Sequence, residues 1–442
     1  MTTDVRIERY AHGGEGVGQL ESGKVVFVAG AFPGDLVKIN IVEEQRSFAR
    51  AELVKLLEPS GDRVNPACRF ADRCGGCQFQ NLGFEPEWRL KTQAVLDVIE
   101  RIGRLPLPET IQRVGPGAPE RYRRRVRFQI DTLGRTGFYA PRSRDIVRPG
   151  DCIVTHPSLL AAREALNGHI KRFAGGNLLL EMSHDGKDVA ACLTPERAEF
   201  DLSRAIKALE PILEEASKTT PLRGIRLAPA NPSAWKDTAD IGRVLIDLKV
   251  LGQTRRVPVG MFNQANAAMN DALVEIVLQQ LELQPGDEVL ELYSGWGNFS
   301  LELLAQPINL HAMEVNVLSV KTAQHLAERD DRIKQAKSTF NFSPRDLLKR
   351  LPTKHRRAGR YARILLDPPR SGARSVIPDL GELRAPTVVY VSCDAATLAR
   401  DLGDLVKLAP YRLAHLALVD MFPRTRHIEV VATMKLDDGT AG

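Results

Sequence analysis

The last third of the chain limits the fold most tightly. The stretch "GDEVLELYSGWGNFSLELLA" (286–305) reads as an apolar strand, a glycine-bearing turn and a helix. It is followed by "LHAMEVN" (310–316), "ARILLDPPRSG" (362–372) and "TVVYVSCD" (387–394), each an apolar run that stops at a polar residue. Strands that alternate with helices predict an open parallel α/β sheet, whose ligands sit beyond the carboxyl ends of the strands. Gly295, Gly297, Glu314, Asp367 and Cys393 are therefore expected along one sheet edge, with the cysteine facing a cleft rather than a core. A glycine-rich first turn lets backbone approach a nucleotide-like cofactor, and an acid after the second strand can bind ribose hydroxyls. Dinucleotide enzymes use the same pair, but "YSGWGNF" has Phe299 and Ser300 where the third glycine of G-x-G-x-x-G belongs. That departure favours S-adenosylmethionine.

The first third reads differently. Residues 1–58 alternate apolar and polar positions between Gly, Ser-Gly and Pro-Gly turns, which predicts a small antiparallel barrel of a kind that often carries single-stranded nucleic acid. Next comes a Pro- and Gly-rich loop with the spacing C68-x5-C74-x2-C77, and a fourth cysteine, Cys152, in "RPGDCIV". In a chain with six cysteines this is no disulfide framework; it points to metal or cluster ligation, and four thiolates suit zinc or [4Fe–4S] equally. Leu90, Val95, Val98, Ile99 and Ile102 give residues 85–104 a helical period. Beyond Val114 the chain is expected to be strand-rich to about residue 250, with a helical interruption near "HPSLLAAREALNGHIKRFA".

Charge locates a partner. The chain carries a net +6, and "RYRRRVRFQIDTLGRTGFYAPRSRDIVR" (121–148) holds nine Arg against Asp131 and Asp145, a local +7. With Tyr122, Phe128, Phe138 and Tyr139 interleaved for stacking, this segment reads as a surface for a nucleic-acid backbone. At 442 residues, 43% hydrophobic and 26% charged, the chain is long enough for two or three folded domains and is not disordered. It contains neither the run of about 18 apolar residues that a membrane span needs nor an apolar signal core, so a cytoplasmic location is expected.

These motifs together resemble the bacterial RNA 5-methyluridine methyltransferases, in the branch with a TRAM domain and a [4Fe–4S] cluster typified by the 23S ribosomal RNA uracil-5 enzymes. "GGEGVG…GKVVFVAGAFPGDLV" resembles the TRAM barrel, the cysteine set the cluster ligands, and "YRRRVRF" the central domain. "MFNQAN", "LELYSGWGNFSL", "LDPPRSG", "YVSCDAATLARDL" and "FPRTRHIEVV" resemble the catalytic domain, in order. The resemblance implies an OB-like TRAM barrel over 1–60, a β-rich RNA-binding central domain carrying the iron–sulfur cluster over 61–250, and a Rossmann-like methyltransferase domain over 251–442. Within the central range, the helical segment 85–111 is expected to pack on the catalytic domain.

Residue by residue, the resemblance assigns S-adenosylmethionine binding to Gln264, Tyr293, Asn298, Glu314 and Asp367, with Asn341 or Asp346 as a further contact. It assigns Cys393 as nucleophile, Glu429 as general base, and Cys68, Cys74, Cys77 and Cys152 as cluster ligands. Asp394 stands where the family commonly has Asn, and His427 is open to a role beside the base or to a structural hydrogen bond. Such residues answer a chemical need: C5 of uracil is too weak a nucleophile to take a methyl group until a thiolate adds at C6, and a base must then remove the C5 proton. The expected partner is RNA, 23S ribosomal RNA first and transfer RNA second, with the protein a monomer off the membrane. A non-catalytic RNA-binding factor of the same fold is disfavoured by the joint presence of Cys393 and Glu429, and a radical methylase by C-x5-C-x2-C in place of C-x3-C-x2-C.

Overall fold

The computed structural model describes residues 2–115, 119–196, 201–229 and 238–437. The ends of the first and last expected domains, residues 1 and 438–442, and parts of the stretch before residue 250 lie outside them. The first five strands are β1 (Thr2–Tyr10), β2 (Glu15–Gln19), β3 (Val25–Ala29), β4 (Leu36–Glu44) and β5 (Phe48–Glu58). They close a barrel in the order β1-β2-β3-β5-β4, with β1 pairing antiparallel to β4 across the seam. Period-2 alternation sends Val5, Ile7, Val26, Val28, Val37, Ile39, Ala49 and Ala51 inward. Buried Asp35 pins the barrel exit, accepting from Ser60 N at 2.8 Å and from Arg63 Nη2 at 2.7 Å.

The chain then visits the catalytic layer before leaving it. Helix α1 (Phe84–Val98) and strand β6 (Ile111–Val114) precede the central domain in sequence, yet β6 pairs parallel with a strand near the C-terminus. Val95 and Ile99 of the anticipated helical period are fully buried, but Ile102 is exposed. Instead the same helix face buries Glu87 and Lys91, whose ammonium lies 2.7 Å from Glu87 and 2.9 Å from Asp420, all three side chains at 0% exposure. Removing one partner from such a buried network strands the others' charges. Lys91→Met is expected to cost about 3–5 kcal/mol of folding stability, read as a fall in denaturation midpoint at neutral pH.

The central domain is a seven-stranded sheet ordered β13-β12-β11-β10-β7-β8-β9. Its strands are β7 (Arg125–Ile130), β8 (Thr136–Tyr139), β9 (Ile146–Val147), β10 (Asn177–Met182), β11 (Val189–Thr194), β12 (Leu222–Leu227) and β13 (Ala239–Gly242). Two helices cover one face, α2 (Pro157–Leu166) in the anticipated interruption and α3 (Leu202–Thr219) in addition. Helix α3 tolerates Pro211 because Ala205, Leu209, Leu213 and Ala216 form a buried stripe and Asp201 caps its start. A hairpin, β14 (Leu245–Val250) and β15 (Gln253–Pro258), leads to α4 (Ala267–Leu281).

The catalytic sheet comprises β16 (Glu288–Leu292), β17 (Asn309–Glu314), β18 (Thr339–Pro344), β19 (Arg363–Leu366), β20 (Thr387–Ser392), β21 (Tyr411–Val419) and β22 (Glu429–Leu436), with β6 at its edge. Helices α5 (Ser300–Leu303), α6 (Val317–Arg329), α7 (Asp331–Ala336), α8 (Ile377–Leu383) and α9 (Ala395–Leu408) connect them. The order is β18-β17-β16-β19-β20-β22-β21-β6. Strands β18 to β20 are mutually parallel, as the strand–helix alternation predicts. The parallel expectation fails at β22, which runs antiparallel to both β20 and β21 because no crossover helix separates it from β21. Alternate residues feed two cores, Leu290, Leu292, Ile364, Leu366 and Val388 to one face and Val289, Leu365, Val389 and Val391 to the other. Among the described residues no helix is long and apolar enough to cross a membrane.

Candidate active site

Reversal of β22 decides what meets at the sheet edge. Ser392, the last residue of β20, pairs with Val430, so the next residue on each strand, Cys393 and Glu429, arrive side by side. Asp367 follows β19 and Glu314 ends β17, so both stand on the same edge. Asp394 caps α9 by accepting from Ala396 N at 3.1 Å and Thr397 N at 3.0 Å, and thereby fixes the turn after the thiol. Buried Asp401 holds the Asp367–Ala373 loop, taking bonds from Ala373 N and Tyr390 OH at 2.7 Å each.

The electrostatics match a site waiting for a cation. Burial pushes Asp367 up to about 7. Burial and then the Asp367 charge push Glu429 up to about 8. The Cys393 thiol is pushed up to about 12 by burial and then by the Glu429 charge, against the pull of the Arg370 charge. An isolated cluster of this kind resists ionisation, and a bound sulfonium would offset that resistance.

The turn after β16 forms the neighbouring half. Gly297 has φ +97° and an added Cβ would sit 3.3 Å from Leu301, so only glycine suits the position. Tyr293, at φ 63°, holds a left-handed conformation uncommon for its type. Gly295 N donates to Glu314 Oε2 at 3.2 Å, which joins the first turn to the second strand's acid. Asn298 and Asn270 exchange side-chain hydrogen bonds at 3.0 Å, and both line a cavity with Gln264 and Trp296. Gln264 Oε1, Trp296 Nε1 and Ser294 Oγ are buried without a hydrogen-bond partner among the described residues, a cost that a polar ligand would relieve. These orphaned atoms fit S-adenosylmethionine.

Of the two residues left open, Asp346 lies just past β18, beside Arg345, whose N–H bonds Glu314 O at 2.8 Å. Asn341 pairs with His311 inside the strand. Sequence reasoning missed Glu291 on β16, a buried carboxyl raised to about 8 by burial and bonded by Ser300 Oγ at 2.5 Å. Its one signal was a carboxylate inside an apolar run.

Cys68, Cys74, Cys77 and Cys152 line one pocket together with Phe70, Phe138 and Arg123, and all four are free thiols. Cys74 and Cys77 are raised by burial first and then by neighbouring cysteine charges, so the sulfurs sense one another. Gly75 makes the loop's close approach possible: its N–H bonds Tyr139 O at 2.9 Å, and a Cβ there would lie 2.7 Å from that oxygen. Among the described residues no set of side chains is drawn tightly enough for a single ion. Four thiols lining one shared pocket are a donor set that fits a [4Fe–4S] cluster.

The basic segment is used differently from its composition. Tyr122 and Phe128 are buried and cannot stack on bases, because β7 alternates and turns Phe128 into the domain core. Arg125 pairs with Glu181, and Arg135 and Arg148 share Asp131 at 2.9 Å each. Arg127, Arg142, Arg144, Arg148 and Tyr139 remain exposed.

Comparison with known proteins agrees with this architecture. Residues 1–54 match the TRAM domain and residues 247–436 the family described as tRNA (Uracil-5-)-methyltransferase. The chain is 30% identical to the 23S rRNA (uracil(1939)-C(5))-methyltransferase RlmD of Shewanella denitrificans over 98% of its own length and 95% of that protein. It is 32% identical to the RlmD of Pectobacterium atrosepticum over 96% of its length and 92% of the relative. Among solved structures, the Pyrococcus abyssi tRNA (uracil-54, C5)-methyltransferase in complex with S-adenosyl-L-homocysteine shares the fold, with TM-score 0.69 and 21% identity over 97% of this chain and 100% of that one. The barrel, the sheet edge and these matches place the chain in the TRAM-bearing RNA 5-methyluridine methyltransferase family, and it is an S-adenosylmethionine-dependent RNA (uracil-5-)-methyltransferase.

Proposed function

We propose that this enzyme methylates C5 of a uridine in 23S ribosomal RNA, with Cys393 as nucleophile and Glu429 as base. The observation that carries the reading is the β20–β22 register, which sets these two side chains next to each other at the cofactor edge. The choice of 23S RNA is supported by the names of full-length relatives, although the matched family is described by transfer RNA.

In this mechanism the Cys393 thiolate adds to C6, and the C5–C6 π electrons move to C5 and the C4 carbonyl. S-adenosylmethionine, when bound, supplies the electrophilic methyl carbon. Gln264, Tyr293, Asn298, Glu314 and Asp367 would hold it, with Asp346 as a further contact, and Asp367 stands on the side nearest the thiol. Glu429 then takes the C5 proton, the C5–C6 double bond re-forms, and the thiolate leaves. Cys68, Cys74, Cys77 and Cys152 would hold a [4Fe–4S] cluster, which contributes a crosslink among loops of the RNA-facing domain.

The test uses RNA containing 5-fluorouridine, whose C5 substituent cannot depart as a proton. Anaerobically purified protein, S-adenosylmethionine and a 23S fragment are expected to yield a stable adduct mapped by mass spectrometry to Cys393. An adduct with transfer RNA alone would move the substrate. RNA binding without any adduct would leave a non-catalytic factor.

A further inference from the structure

Segment 420–428, between β21 and β22, has no regular structure, yet it is bonded to the barrel, the cysteine-rich loop, α1 and the central domain. Pro423 O accepts from Tyr122 OH of the central domain at 3.0 Å. Phe422 O accepts from Lys91 Nζ at 3.2 Å, and Arg424 N donates to Glu87 Oε1 at 2.6 Å, both on α1. Arg426 Nη1 donates to Gly13 O of the barrel. The cysteine-rich loop bonds it as well: Gln78 N and Phe79 N donate to Arg424 O at 2.9 and 3.1 Å, and Arg426 N donates to Gln78 Oε1 at 3.2 Å. Arg424 adopts φ 67°, a conformation this side chain holds only when its surroundings fix it. Gln78 directly follows Cys77.

At its far end the segment reaches the nucleophile. His427 Nε2 lies 3.2 Å from Arg370 Nη2. Burial first, then the Arg370, Arg426, Arg123 and Lys91 charges, push the imidazole down to about 3, so it is neutral and its Nε2 accepts. Its ring packs edge-on against Phe422 at 6.2 Å, and the Arg123 guanidinium covers Phe422 at 5.9 Å. Arg123 itself lines the cysteine pocket. On Cys393, Glu429 of β22 and Asp367 of the loop after β19 oppose a thiolate, and Arg370 of that loop favours it. Asp394, the cap of α9, follows the thiol in sequence and has His12 of the barrel at 4.0 Å.

We propose that His427 is a positioning residue: as a neutral acceptor it orients the Arg370 guanidinium onto Cys393 Sγ, and the cysteine-rich loop, acting through Gln78 and segment 420–428, sets where His427 stands. The consequence is that the RNA-facing domain tunes how readily the thiol gives up its proton to solvent. The inference rests on the reading of Cys393 as nucleophile, but its test does not need turnover.

The experiment measures alkylation of Cys393 by iodoacetamide in the full-length protein without RNA or S-adenosylmethionine. Rates are read on the Cys393 peptide by mass spectrometry across a pH series. His427→Leu is expected to slow alkylation about tenfold at fixed pH, equivalent to one unit in the thiol's titration. His427→Gln, which restores an acceptor, is expected to return most of the rate. Gln78→Ala, on the cysteine-rich loop, is expected to slow it in the same direction. Wild-type rates in His427→Leu, equal slowing by leucine and glutamine, or wild-type rates in Gln78→Ala would each overturn the proposal. If the leucine variant does not fold, His427→Asn, whose amide falls short of Arg370, takes its place. The 5-fluorouridine trap reports separately on Cys393 as nucleophile, so the two failures are distinguishable.

Discussion

Glu429→Gln is expected to convert the enzyme into one that captures its own RNA. In the proposed mechanism Cys393 addition and methyl transfer do not use the Glu429 base, whereas release does, so a methylated RNA–protein adduct should accumulate on ordinary uridine and be visible on a denaturing gel. Turnover should fall by about 10²- to 10⁴-fold, the usual contribution of a positioned base. The substitution is well suited to the site because Glu429 is only 4% exposed and glutamine matches its shape. The pH dependence supplies the sign. With the Glu429 carboxyl pushed up to about 8, its basic form grows as pH rises toward that value, so release in the wild type should accelerate with pH and then level off. The glutamine variant should lack that rise. No adduct, or an unchanged release profile, would assign proton removal elsewhere.

Cys393→Ala is expected to have the larger effect on rate, a loss on the order of 10⁴-fold or more, because in the proposed mechanism the thiolate is the group that adds to C6 and without it C5 is not activated for methyl transfer. Cofactor affinity should stay near wild type, since the orphaned polar atoms that fit the cofactor, Gln264 Oε1 and Trp296 Nε1, lie in a separate cavity lined by Asn298 rather than by Cys393. Equilibrium binding of S-adenosylmethionine and single-turnover methylation, measured on the same preparation, separate the two quantities. Methylation surviving in the alanine variant would rule out the covalent route.

The two substitutions also show what the sequence makes legible. Asp367, Glu314 and Cys393 each stand at the end of a largely apolar strand, and in a parallel sheet that alone brings them to a common edge. Glu429 is different: it begins a strand, and it joins that edge only because β22 is antiparallel, which the irregular nine-residue connection 420–428 does not announce. The same difficulty hides Lys91 and Glu87. Charges at helical spacing read as a solvated face until Asp420, 329 residues away from Lys91, closes over them. Tyr122 and Phe128 fail in the opposite sense, since aromatics among arginines look like a stacking surface until strand alternation turns them inward. Local pattern thus reads the strand ends and the cysteine set, while contacts between distant segments decide the rest.

That separation between Lys91 and Asp420 has a bearing on biosynthesis. The α1 and β6 segments leave the ribosome before the central domain, but the sheet they complete ends with the last strand of the chain. At ordinary elongation rates, about 5–20 residues per second, α1 waits tens of seconds for its partners. During that interval Val95, Ile99 and the Lys91–Glu87 pair have no core to enter, so the nascent chain leaves one apolar stripe and a charge pair unpacked until its last strand is made. A fragment starting after the central domain would carry the reciprocal defect: β21 would have a bare edge and Asp420 no cation beneath it.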